Sequence, residues 1–253
     1  MGHVSPHIAD ILRLVTTEPG RPRLTWYGDG GERVELSGAV LENWVNKTVN
    51  LLVEEFDVEA GTRVLLDLPP HWRTVVWALA VWRAGACIVL AQEPSTPEHL
   101  DVIVTDRPAR HLDESAPVVA VALPALARRF DGALPVGAID AASAVMTYGD
   151  MLGWVSPVDP HATALVVAGT PLTHAELGSE MNEPSLDGPG QRVLIRPDGD
   201  RLAGTGEFVR ESLRVLASGG SVVGLDASLA RDYVEQPQRL ERLITDERVT
   251  AIA

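Results

Sequence analysis

The chain has 253 residues, 45% of them hydrophobic and 22% charged, so it can bury a sizeable core and is not a disordered chain. Its 35 acidic residues against 21 basic ones give a net charge of −14, which argues against nucleic acid or a membrane surface as a partner. A single cysteine excludes an intrachain disulfide, the longest apolar run (116–127) is broken by Pro117 and Pro124, and the first residues lack the pattern of a secretory signal, so the expected location is cytoplasmic.

Ser5-Pro6 predicts a helix start, with Ile8, Ile11, Leu12 and Val15 on one face. Two strand-like runs, 24–27 and 33–36, flank Gly28-Asp29-Gly30-Gly31 and predict a hairpin. Ser37 is placed to cap a helix reaching about Phe56. Leu41, Val45, Thr48, Val49 and Leu52 form its apolar stripe, and Glu42, Asn46 and Lys47 its wet side. Residues 63–68 read as a strand, 71–84 as a helix apolar all round, and 86–90 as a second strand, making a parallel βαβ unit. Cys87 lies in that second strand, where it serves as a small hydrophobe.

Further strands are predicted at 102–105, 118–121, 162–167, 192–195, 221–225 and 249–252, with helices from Thr173 and over 206–217 and 237–247. This alternation predicts an α/β fold with parallel-rich sheets flanked by helices. The weakly patterned stretch 131–160 suggests a division into two sub-structures, 1–155 and 156–253.

Motif chemistry names no active site. There is no Gly-x-Ser-x-Gly elbow, and Ser218-Gly219-Gly220-Ser221 reads as a helix stop before a strand. Among the 21 basic residues only Lys47 is lysine; it sits in a helix with no glycine loop before it, so no Walker A pattern exists. Gly204-Thr205-Gly206 at a helix start is an anion-binding shape, but Asp198, Asp200 and Glu207 oppose phosphate there. His3 and His7 are spaced for one helical face without an obvious third ligand, and the other histidines are scattered, so no metal is expected. Thr173-His174-Ala175-Glu176 is a capping box.

Residues 57–94 carry a resemblance. They run from Asp57-Val58-Glu59-Ala60-Gly61-Thr62-Arg63-Val64 through Leu68-Pro69-Pro70 and an apolar helix to Arg83-Ala84-Gly85-Ala86, a strand and Glu93-Pro94. In order and spacing this resembles the N-terminal region of adenylate-forming (AMP-binding, acyl-CoA synthetase-like) enzymes. The likeness is strong over 37–94 and weaker elsewhere, including 100–106, 159–177, 192–225 and 241–252. The whole chain also resembles a group of short bacterial relatives of that superfamily.

The resemblance implies a two-sheet α/β fold, and its departures bear on activity. The superfamily's phosphate loop reads Thr-Ser-Gly-Thr-Thr-Gly-x-Pro-Lys-Gly ahead of an apolar residue and Thr-His. Here Ala168-Gly169-Thr170-Pro171 runs directly into Leu172-Thr173-His174. Gly169 and Thr170 are thus the only candidates for a remnant of the loop, and its lysine has no counterpart. The adenine- and ribose-binding motifs and the C-terminal domain with its catalytic lysine are not matched either. No catalytic residue carries over and no cofactor is implied.

The expected function is therefore an adenylation-domain-like protein without adenylate-forming activity, in a binding, regulatory or subunit role with an unknown small-molecule ligand. Alternatives are a ligase completed by a dimer or partner chain, and an unrelated α/β enzyme. A short apolar strand at 249–252 further suggests a homodimer or a partner protein.

Overall fold

The computed structural model describes residues 7–90, 99–167, 169–181, 188–197 and 201–253, the side chains of 201–203 excepted. In chain order the elements are α1 (Ile8–Val15), β1 (Pro22–Tyr27), β2 (Arg33–Ser37), α2 (Gly38–Phe56), β3 (Arg63–Asp67), α3 (Trp72–Arg83), β4 (Cys87–Leu90), β5 (Val102–Thr105) and β6 (Val118–Ala120). They continue with β7 (Ile139–Asp140), α4 (Ala141–Ala144), β8 (Thr163–Val167), β9 (Thr170–Thr173), α5 (His174–Met181), β10 (Arg192–Ile195) and α6 (Arg201–Ala217). Last come β11 (Ser221–Leu225), α7 (Ala227–Glu235), α8 (Pro237–Asp246) and β12 (Ala251–Ile252).

Two sheets form, both parallel-rich. One has five strands in the order β12-β10-β11-β1-β2, parallel except for the β1–β2 hairpin. The other has seven, in the order β7-β6-β5-β3-β4-β8-β9, parallel except for the β8–β9 hairpin. The chain divides into two compact units, Met1–Glu42 with Pro69–Val75 and Gly178–Ala253, and Asn43–Leu68 with Val76–Leu177. The division expected between 155 and 156 does not follow the sheets. The hairpin at 22–37 joins, through β1, the late strand β11, while β8 and β9 join the strands that precede 155. Weak patterning at 131–160 marks a connection within one unit rather than a boundary.

Burial explains the strands. In the seven-stranded sheet β4 and β5 are buried along their whole length, as parallel strands covered on both faces must be. One of its core clusters joins Leu65, Cys87, Val89, Ile103 and Val118. Burial pushes the Cys87 thiol up to about 11, with Arg63 opposing, so the cysteine is a core residue and a poor nucleophile. In the other unit α7 and α8 lay Ala230, Tyr233 and Leu243 on Leu194, Val223 and Leu225.

Ile8, Ile11, Leu12 and Val15 are buried as the α1 periodicity predicts. That helix begins at Ile8, where the Asp10 carboxylate accepts the His7 backbone N–H at 3.0 Å. The expected start at Ser5-Pro6, and His3, lie outside the described residues. The α2 stripe is buried throughout, but its other face is not simply wet. The segment 148–153 lies along it. Asn46 donates to the Asp150 carbonyl (3.0 Å), Lys47 Nζ to the Tyr148 carbonyl (2.6 Å), and Asn50 to the carbonyls of Gly149 and Met151.

Further elements differ from the sequence reading. Helix α6 starts at Arg201, so Gly204-Thr205-Gly206 lies inside the helix and not at its start. Helices α4 and α7 and strands β7 and β9 are not predicted by the sequence; α4, β7 and β9 have only two to four residues, whereas α7 lays Leu229, Ala230 and Tyr233 on its buried side, a pattern the sequence reading misses.

Candidate functional site

The carboxyl ends of β3, β5 and β8 lie at one end of the seven-stranded sheet, because all three strands are parallel. Ligands of open α/β sheets bind at such an end. Gly169 and Thr170 sit there. Val167 pairs directly with Thr170, Val166 with Pro171 and Leu165 with Leu172. Only residues 168 and 169 connect the two strands, and Gly169 supplies the left-handed φ of +77° that so tight a reversal needs. A phosphate cradle requires a run of backbone N–H groups turned into one concavity. A two-residue connection is too short to provide it.

The start of α5, directly after the hairpin, is anchored structurally. Thr173 and Glu176 form the expected capping box, with Thr173 N–H donating to the Glu176 carboxylate at 2.7 Å and Glu176 N–H to Thr173 Oγ1 at 3.2 Å. His174 is buried, and its Nε2 lies 3.2 Å from the Gly85 carbonyl in the turn between α3 and β4. Lys47 also pairs with Asp150 at 2.8 Å, so the chain's only lysine is a clamp between α2 and the 148–153 segment.

At the ends of β3 and β5, sequence reasoning missed a polar cluster. Asp67 is buried and takes hydrogen bonds from Thr105 Oγ1 (2.9 Å), Arg107 Nη2 (2.7 Å) and His111 Nε2 (3.0 Å). Burial pushes its carboxyl up, but the bonds from His111, Arg107 and Thr105 outweigh this and hold it down at about 2. The Arg107 backbone N–H returns a bond to Thr105 Oγ1 at 2.9 Å. A carboxylate closing an apolar strand, and an Arg and a His four residues apart beyond the next strand, were the available signal.

The other unit buries His71, which caps α3. Its carbonyl accepts from Thr74 and Val75 N–H, and its Nδ1 accepts the Arg73 N–H at 3.2 Å. The proton of the neutral ring therefore resides on Nε2. Trp26 meets the imidazole edge-on at 5.0 Å, and Arg73 stacks over Trp72 at 4.3 Å. Burial, then the Arg73 charge, lower the His71 pKa to about 3. A second network ties α8 to the five-stranded sheet: Glu247 accepts from Tyr27 (2.5 Å), Arg33 (2.9 Å) and Arg192. Every oxygen of that carboxylate is engaged within the fold, which marks it as a brace. Among the described residues no group of three His, Cys, Asp or Glu could hold a metal ion, and no helix is long and apolar enough to cross a membrane.

Comparison with known proteins places this geometry. A family profile described as AMP-binding enzyme matches residues 13–135. A TIGR03089 family protein of Mycobacterium tuberculosis (strain ATCC 25618 / H37Rv) is 32% identical over 250 residues, covering 94% of this chain and 94% of that protein. Among solved structures, McyG A-PCP complexed with phenylalanyl-adenylate aligns over 100% of this chain and 47% of its own, with a TM-score of 0.70 and 13% identity. Brucella canis acyl-CoA synthetase aligns over 87% of this chain and 46% of its own, with a TM-score of 0.62 and 17% identity. At these identities the likeness establishes the fold, and the chain spans about half the length of the solved structures it matches. That fold sets aside an unrelated α/β architecture.

Proposed function

Since the chain belongs to the TIGR03089 family and has the fold of the adenylate-forming superfamily, we propose that it does not adenylate carboxylic acids and serves as a binding, regulatory or subunit module. The β8–β9 hairpin carries this reading. Adenylyl transfer depends on positioning phosphates and neutralising charge in the transition state. Gly169 and Thr170 offer one glycine N–H and one hydroxyl where the superfamily's loop offers a run of them. The only lysine is engaged with Tyr148 and Asp150. Arginine does not substitute for a compact ammonium in a tight site without rebuilding it.

As a module of this kind the protein works as a homodimer or with a partner chain. The outer edge of β12, with Ile252 exposed, is the contact this reading favours.

Nucleotide binding tests the proposal. A ligand present at about 100 times its Kd stabilises a fold by about 2.7 kcal/mol. Thermal unfolding is therefore expected to be unmoved by millimolar ATP with magnesium. A saturable rise in Tm with ATP would contradict the expected loss of the phosphate cradle and favour the ligase completed by a dimer or partner chain.

A further inference from the structure

Residues 148–154 are fastened down by their backbone and bare at two large side chains. Asn50, buried on α2, commits its whole carboxamide to them. Its Nδ2 donates to the carbonyls of Gly149 (3.1 Å) and Met151 (2.9 Å), and its Oδ1 accepts the Gly153 N–H at 2.9 Å. A Cβ on Gly153 would lie 3.3 Å from that Oδ1, so glycine gives the approach its room. Asn46 and Lys47 hold the Asp150 and Tyr148 carbonyls, and the Tyr148 hydroxyl donates to Glu55. On this anchored segment Met151 is 86% exposed and Trp154 79%.

Single exposed apolar residues are ordinary on a protein surface. This pair differs in two respects. Gly149, Met151 and Gly153 all meet one amide, so Met151 and Trp154 leave the fold from the same short piece of backbone. That backbone is also ordered before any partner arrives, so covering the pair requires little further ordering of the chain. Tryptophan and methionine are enriched at interfaces, and tryptophan is prominent among the residues that carry binding energy.

The surroundings point to what covers it. Asp150, between Met151 and the Lys47 clamp, is 62% exposed, and Glu54 and Glu55 are exposed near the end of α2. Burial, the hydrogen bond to Glu55 and the charges of Glu55 and Glu54 push the Tyr148 phenol up to about 12, so both carboxylates bear on this segment. The sequence holds no lysine or arginine from 130 to 191 and only Lys47 from 43 to 62, and Lys47 is paired with Asp150. An anionic lipid surface, or a second copy of this acidic chain, meets like charge here. A partner bearing arginine or lysine meets opposite charge, and its cations can stack on an exposed indole.

We propose that Met151 and Trp154 form a docking site for a basic amphipathic segment of another protein. Its apolar face covers the two side chains, and its flanking arginines or lysines meet Asp150, Glu54 and Glu55. The inference depends neither on whether the protein adenylates acids nor on the β12 edge, which belongs to the other unit.

The test is binding of fluorescently labelled synthetic peptides to the full chain, read by anisotropy. Three peptides of equal length serve as probes: a leucine–arginine amphipathic helix, the same helix with glutamate for arginine, and a glycine–arginine peptide without apolar residues. The expected result is saturable binding of the leucine–arginine peptide, with both others much weaker. Trp154→Ala removes an exposed side chain and is expected to weaken that binding by about tenfold or more at an unchanged Tm. Glu54→Gln combined with Glu55→Gln is expected to weaken it and flatten its salt dependence. The proposal is overturned if the leucine–arginine peptide does not bind, if either control binds as tightly, or if the Trp154 or the paired glutamate variant binds as the unaltered protein does. It is equally overturned if Trp154→Ala dissociates the protein by itself in light scattering, since a second copy is then the occupant.

Discussion

His71 shows how one side chain can set a stability limit. Its Nδ1 caps the first turn of α3, while the ring is enclosed against Trp26 and Trp72. A charged imidazole does not fit there, so the folded pKa is lowered from 6.5 to about 3. The unfolded chain takes up the proton near its ordinary value. The stability held by the neutral ring is therefore complete above about pH 6.5 and lost as pH falls towards 3. The slope within that window is about 1.4 kcal/mol per pH unit. Asp67, lowered to about 2 from 3.8, adds loss of the same sign below about pH 4. Urea unfolding followed between pH 7 and pH 4 is expected to show this slope. His71→Asn keeps a side-chain acceptor for the Arg73 N–H without a titrating ring, and should flatten it; an unchanged slope in that variant would show that another group titrates. Close packing surrounds the same place. A Cβ on Gly224 would lie 2.9 Å from both the Phe208 and the Trp26 rings, so β11 approaches α6 there only because it carries glycine.

Most elements with a strong periodic signal were legible in the sequence, α7 with its buried Leu229, Ala230 and Tyr233 being the exception. Helix α2 was readable because Leu41, Val45, Thr48, Val49 and Leu52 recur at helical spacing, and each is buried. Helix α3 was readable as buried on more than one side; Trp82 reconciles its indole with that position by donating to the Ala164 carbonyl at 2.8 Å. The capping box of α5 was legible as a local pattern. Thr173→Ala removes its hydroxyl acceptor and should cost about 1 kcal/mol, read as a lower denaturant midpoint with an unchanged m-value. No loss of stability would show that the Glu176 carboxylate alone secures that helix end. Strand β9 was hidden because Thr170-Pro171-Leu172-Thr173 has few residues and a proline, tolerated here on a strand at the sheet edge. The Asp67 cluster was hidden for a different reason. Its members are 38 to 44 residues from Asp67 in sequence, and strand pairing across β3 and β5 alone brings them together.

For the whole molecule, the strand–helix alternation was enough to infer parallel-rich sheets, but not which strands share one. Pairing between β1 and β11, some 200 residues apart, leaves no local trace. Sheet membership also decides where association is expected. Strand β12 lies at the outer edge of the five-stranded sheet and pairs on one side only, with β10. Light scattering at tens of micromolar protein is expected to report a dimer, or a stable complex with a partner chain supplied in equal amount. A monomer under both conditions would remove the assembly reading while leaving the fold and the hairpin argument intact.

The central claim is that this fold, with a two-residue hairpin where the superfamily has its phosphate loop, does not activate acids. Removing one oxyanion-type donor typically raises a barrier by about 2.7–4 kcal/mol, and on the proposed reading a run of such donors and its lysine are replaced together by the hairpin. The most direct measurement is ATP–pyrophosphate exchange by the full chain with millimolar ATP and magnesium, against a panel of short, medium-chain and aromatic carboxylic acids. The account predicts exchange no higher than that of heat-inactivated protein for every acid. Acid-dependent exchange above that baseline, reproduced in two independent preparations, would contradict it.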